Sequence, residues 1–114
     1  MSQNYDVIRQ AMLLHKPVAL TYNGFYREVC VHALGLNKFG REQALMFQYG
    51  GGSSSGLPAD GEWRCMAVAN AQNVRIIEGG WRSRQDHEET QTCVAQVDVE
   101  IWVGADGKPY VKRA

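Results

Sequence analysis

Tyr22-Asn23-Gly24, then Arg27-Glu28-Val29-Cys30-Val31-His32-Ala33-Leu34-Gly35, then Gln48-Tyr49, then Trp63-Arg64 are the pieces, in chain order, that decide how this sequence folds. Asn23-Gly24 lies between two β-patterned runs, and an Asn-Gly pair in that setting is the strongest short signal for a tight hairpin. Val18 to Tyr22 reads as the first strand and Tyr26 to Leu36 as its partner. Alternation in that partner places Tyr26, Glu28, Cys30 and His32 on one side, with Arg27, Val29, Val31 and Ala33 on the other. Gly35 ends the pattern, so a bulge or bend is expected between His32 and Gly35.

Upstream, Tyr5 to Leu14 carries Tyr5, Ile8 and Met12 at helical spacing with Ala11 beside them. Asn4 is a candidate cap, and Pro17 stops the helix. Downstream, Asn37 to Arg41 is a turn, Gln43 to Tyr49 a third strand, and Glu62 to Val68 a fourth. A glycine-serine loop, Gly50 to Gly56, joins the last two. One helical turn at Ala69 to Gln72 leads into a fifth strand, Val74 to Ile77. A helix followed by five short strands describes a mainly β (α+β) chain built on a small SH3-like or Sm-like five-stranded barrel. Gly79-Gly80 marks a boundary, dividing the chain into a barrel at 1–78 and a C-terminal extension at 79–114. The extension is polar and irregular from Trp81 to Gln91. Cys93 to Val103 then reads as a strand that an Asp106-Gly107 turn folds into a β-hairpin with Pro109 to Lys112. An isolated hairpin is marginal in water, so this one must pack on the barrel or on a partner chain.

Composition narrows the function. The 114 residues suit one core. No apolar run approaches the roughly 20 residues that span a bilayer, and the N-terminus lacks the features of a signal peptide. Cys30, Cys65 and Cys93 are odd in number and widely spaced, which suggests three free thiols and a cytoplasmic protein. Formal net charge is zero, which counts against a general polyanion binder. The signs are nevertheless segregated. Seven basic residues face five acids between Arg27 and Arg84, whereas Gln85 to Gly107 holds six acids and no Lys or Arg.

The chemistry on offer is binding rather than bond-making. Gly52-Ser53-Ser54-Ser55-Gly56 matches the letters of a nucleophile elbow, but Leu57-Pro58 follows where a helix is needed. His15, His32 and His87 are too dispersed for metal ligation, and no cofactor motif is evident. His15 reads as closing the helix, and His87, beside Asp86 and Glu88, as solvated. His32 suits either a hydrogen-bonded place at the strand bend or a ligand contact, and Cys30 two residues away would share its face. Trp63 is the natural core residue of its strand, which turns Arg64 to solvent or into a pocket. Arg27 shares its face with apolar residues, so it needs a carboxylate such as Glu28, Glu42 or Glu62, or else a ligand anion.

From Tyr5 to Glu78 the chain resembles the WYL domain family, a bacterial module with an Sm/SH3-like barrel. The family has a strand ending in Tyr, a Gly turn, then Arg-x-Val-x-Pro-x-x-Leu; here these are Tyr22, Gly24, Arg27, Val29, Val31 and Leu34. Its Arg-x-Phe motif corresponds to Arg64-Cys65-Met66, and Ala44-Leu45-Met46 stands in place of the Trp-Tyr-Leu triplet. The resemblance implies a sensor of nucleotides or single-stranded nucleic acid that controls transcription or phage defence, working with a separate regulator protein. Carried over residue by residue, it makes Arg27 and Arg64 the basic ligand contacts, with His32 and Tyr49 beside them. The competing expectation is a structural or interaction module without a small ligand. In that case the strand carrying Val97, Val99, Ile101 and Val103 makes a homodimer by edge pairing.

Overall fold

The computed structural model describes residues 2–53, 56–83 and 93–114. Helix α1 spans Gln3–Leu13 and buries Tyr5, Ile8, Ala11 and Met12, the face that its periodicity predicts. Ser2, rather than Asn4, caps it: the Ser2 hydroxyl accepts the Tyr5 N–H at 3.2 Å. Asn4 is drawn elsewhere, its amide donating to the carbonyls of Val68 (3.2 Å) and Ala71 (2.8 Å) and tying the helix to a 3₁₀ turn at Val68–Asn70. His15 closes the helix by taking a positive φ of 55°, and the Lys16 N–H returns to the Ala11 carbonyl.

Among the described residues seven strands follow: β1 (Val18–Tyr22), β2 (Phe25–Leu36), β3 (Glu42–Gly51), β4 (Glu62–Ala67), β5 (Gln72–Ile76), β6 (Gln96–Val103) and β7 (Pro109–Arg113). All pairings are antiparallel. Asn23 and Gly24 both hold positive φ, 53° and 80°, as the tight turn of the β1–β2 hairpin requires. The main path runs β4-β3-β2-β1-β5. β2 is long enough, at 12 residues, to serve two neighbours on one edge. Val29 and the residues before it pair with β1, and Ala33 to Leu36 pair with β6. Gly35 permits this second pairing, because a Cβ there would collide with the Gln96 carbonyl.

The expected closed barrel of five strands is not formed by hydrogen bonding, since β4 and β5 end the path and do not pair with each other. The sheet stays open, and α1 packs on one of its faces. The larger core lies between them, where Val18, Leu20, Val29, Val31, Leu34, Ala44, Met46 and Met66 meet the helix. β6 and β7 belong to the same sheet, which places Val99 and Ile101 in that core. They are therefore not an exposed docking stripe; the outer edge of the hairpin is β7.

Two bulges set the faces. His32 is an extra residue between the Val31–Met46 and Ala33–Leu45 pairs. The bulge falls where the sequence placed it, yet it reverses one expected orientation. Ala33 joins a smaller cluster with Leu45 and Val94 on the other side of the sheet, and Leu34 takes the core position instead. Tyr49 is the second extra residue, between the Glu28–Gly50 and Val29–Gln48 pairs.

The structure joins Cys65 to Cys93 by a disulfide, where three free thiols had been expected. Sequence separation hid the pair. β3–β4 pairing and the return of the chain into β6 bring the two Cα atoms to 5.9 Å, well inside bridging range. Cys30 remains free and buried. No helix among the described residues is long and apolar enough to cross a membrane.

Candidate functional site

Arg27 and Arg64 converge on one cavity of about 290 Å³, at the end of the core face beside the β1–β2 turn. Their positions follow from the register. Arg27 lies on the same side of β2 as Val29 and Val31, and Arg64 pairs with Met46, a core residue of β3. Trp63 consequently points to the opposite side, where it meets Phe47 and His32 edge-on with ring centroids 5.3 and 4.7 Å apart.

Arg27 is only 4% exposed. Its guanidinium donates to the Gln48 side-chain oxygen at 3.3 Å and to the Tyr22 carbonyl at 3.1 Å. It also sits 5.4 Å from the centre of the Tyr22 ring and 5.9 Å from that of Phe25. No carboxylate pairs with it among the described residues. Glu28 accepts the Tyr26 hydroxyl at 2.9 Å and Glu42 accepts the Ser2 backbone N–H at 2.9 Å. The structural salt bridge weighed from the sequence is not made.

Arg64 is likewise without an acidic partner there, donating to the Ser53 hydroxyl (3.0 Å) and the Gly56 carbonyl (3.1 Å). The Nε of each arginine is enclosed and has no acceptor among the described residues. Burial, and then the positive charge of Arg64, hold the Arg27 guanidinium below its ordinary pKa. Two cations share one concavity, each satisfied only by neutral oxygens. An anion placed between them would relieve both the desolvation and the repulsion.

Gln48 is the residue that sequence reasoning missed. It is fully buried, orients Arg27 through its oxygen, and donates through Nε2 to the carbonyls of Gly50 and Gly52, each at 3.0 Å. The available signal was a glutamine at the position where alternation from Ala44 and Met46 calls for an apolar side chain. Gln48 and Ser53 together bring the described part of the glycine-rich loop against both arginines.

His32 and Tyr49 do not join them. His32 is fully buried on the far side of the sheet, its Nδ1–H donating to the Ile101 carbonyl at 3.3 Å, with the Trp81 ring 5.0 Å away. Tyr49, next to Gln48 on β3, faces that same far side by alternation, with its ring under the Arg82 guanidinium at 4.8 Å. Burial, with Cys30 and Glu28 nearby, pushes the Tyr49 phenol up to about 12. The thiol of Cys30 accepts the Arg82 N–H at 3.3 Å, and burial pushes its pKa up to about 11, so at neutral pH it is a protonated filler.

No protein-family model, no curated protein and no solved structure matches the chain. The chemistry of the site has to come from its own residues. Of the acidic stretch, Asp98 meets Arg9 at 3.1 Å and the Tyr5 hydroxyl at 2.8 Å, away from the cavity. His87 and its flanking acids lie outside the described residues.

Proposed function

We propose that this chain is a non-enzymatic, WYL-like ligand-sensing module that binds an anionic ligand, a nucleotide or single-stranded nucleic acid, between Arg27 and Arg64. The observation that carries this reading is the convergence of the two guanidiniums on one cavity with no carboxylate between them among the described residues. A buried cation without a countercharge is costly, and a ligand that supplies the charge is the simplest reason to keep two. Tyr22, which lines the same space, offers an aromatic face there, whereas Tyr49 was expected beside the arginines. A small open antiparallel sheet backed by one helix, working beside a separate regulator protein, suits such a sensor.

Titration with inorganic phosphate, nucleoside monophosphates and short DNA and RNA single strands, each at low and moderate salt, tests the reading. Arg64→Ala is the informative variant, because its side chain lies at the cavity rim. The expected loss is about tenfold to a hundredfold in affinity, the worth of a charge-assisted hydrogen bond or two. Equal binding by wild type and Arg64→Ala would sink the proposal.

A second reading is favoured by β7, which among the described residues pairs only with β6 and leaves Tyr110 (45% exposed) and Val111 (38% exposed) beside an edge with no further strand. Edge pairing there would make a homodimer. Solution mass with and without residues 109–114 distinguishes it: a dimer lost on truncation supports the idea, and a monomer in both cases removes it.

A further inference from the structure

A second cavity, of about 430 Å³, opens on the opposite side of the sheet. Phe47 and Tyr49 from β3 and Trp81 from the segment after Gly80 supply three aromatic walls, and Arg82, Ser83 and Asp60 supply polar groups. Its size falls in the range of small-molecule sites, which extends from about 300 to 1,000 Å³.

Three features specify the chemistry. The walls are flat rings, and the Arg82 guanidinium already lies over one of them, so a planar group can stack on an aromatic and a cationic face together. The indole N–H of Trp81 is enclosed and has no acceptor among the described residues, and an unpaired buried donor costs free energy that an acceptor on a ligand would restore. Asp60 places a carboxylate on the same lining, which accepts N–H groups and repels anions. Donors and an acceptor around aromatic faces match a ring that carries both ring-nitrogen acceptors and N–H donors. A purely aliphatic guest would leave the Trp81 N–H unmatched, and a bare anion suits the arginine cavity instead.

We propose that this cavity is a second binding site, for a planar, uncharged nitrogen heteroaromatic of the nucleobase type. It is built from residues that take no part in the arginine cavity. Tyr49, expected from the sequence beside Arg27 and Arg64, would thereby serve as a stacking surface at a different site.

Proton–nitrogen correlation spectra of the full chain test it, with adenosine, uridine and inorganic phosphate as probes. The Trp81 indole resonance is identified by its disappearance in Trp81→Phe. Adenosine is expected to shift that resonance in a saturable way, and phosphate is expected to leave it in place. Arg82→Ala removes an exposed side chain and leaves the backbone bond to Cys30 intact, so the variant keeps its fold; it should bind adenosine roughly tenfold more weakly, as loss of one stacking face predicts. Arg64→Ala should bind adenosine as wild type does. No shift with either nucleoside at about 10 mM, the weak edge of specific affinity, overturns the proposal. So does adenosine binding that Arg64→Ala abolishes and Arg82→Ala leaves unchanged. Phosphate binding at the arginine cavity is read separately, so either site can fail without the other.

Discussion

Replacing Arg27 with Met separates a ligand anchor from a fold anchor. Methionine matches the length of the arginine stem and carries no charge. It forfeits two hydrogen bonds from a charged donor, to Gln48 and the Tyr22 carbonyl, worth about 1.5–3 kcal/mol each. It also forfeits the interaction with the Tyr22 ring, about 0.5–2 kcal/mol. Against this, it abolishes the desolvation of a buried cation, a penalty of several kcal/mol that no carboxylate among the described residues offsets. The terms nearly cancel, so Arg27→Met should lie within about 2 kcal/mol of wild type. For a domain of this size that is a melting shift of no more than about 10 °C.

The ligand-dependent part behaves differently. An anion at a hundred times its Kd stabilises wild type by about 2.7 kcal/mol, again roughly 10 °C, and should do nothing site-specific for Arg27→Met. Thermal melts in phosphate against ionic-strength-matched chloride measure both effects. Phosphate also stabilises proteins generally through exclusion from their surface, so the informative quantity is the difference between wild type and variant. A variant that loses more than about 4 kcal/mol without ligand, or that gains as much from phosphate as wild type does, refutes the reasoning.

Gln48→Glu should place a carboxylate against Arg27, neutralising the cavity and weakening phosphate binding by about tenfold or more, as read by calorimetry. Unchanged affinity would mean that the anion does not meet Arg27. Thiol titration should find one reactive cysteine, Cys30, and only after unfolding; Cys93→Ser should lower stability by about 3–4 kcal/mol, the chain-entropy value for a loop of 28 residues. Three titratable thiols in the untreated protein would contradict the Cys65–Cys93 bond. Alkaline stability should also fall. Cys30 and Tyr49 have folded pKa values raised to about 11 and about 12, above ordinary values of 9 and 10. Their contribution is therefore complete below pH 9 and is lost as pH rises through 11 to 12. Cys30→Ala with Tyr49→Phe should flatten that decline in denaturant midpoints measured from pH 8 to 12; an unchanged slope would assign it to other groups.

Local signals carried far in this chain. Asn23-Gly24 sets the first hairpin because few residue pairs tolerate two successive positive φ values. The spacing of Tyr5, Ile8 and Met12 fixes the buried face of α1, and Gly35 with its neighbours marks where β2 bends. Each is a property of a few adjacent residues, so the sequence suffices. Whether Arg27 meets a carboxylate of its own chain was not local. It depended on whether Glu28, Glu42 or Glu62 reached that guanidinium, and none does, its partners being Gln48 and the Tyr22 carbonyl.

The sequence by itself determined a mainly β chain with one amphipathic N-terminal helix, a strand order beginning with a tight hairpin, and two arginines that had to find oxygen partners. Only the tertiary structure decided which residues share a site. A single extra residue in a strand reverses the direction of every side chain near it, and pattern reading places such residues poorly. The bulge at His32 exchanges Ala33 for Leu34 in the core, whereas Tyr49 faces away from Gln48 by plain alternation. The same pairing of distant strands brought Arg64 into the cavity of Arg27 and Cys65 beside Cys93, because such contacts depend on register across the sheet rather than on distance along the chain.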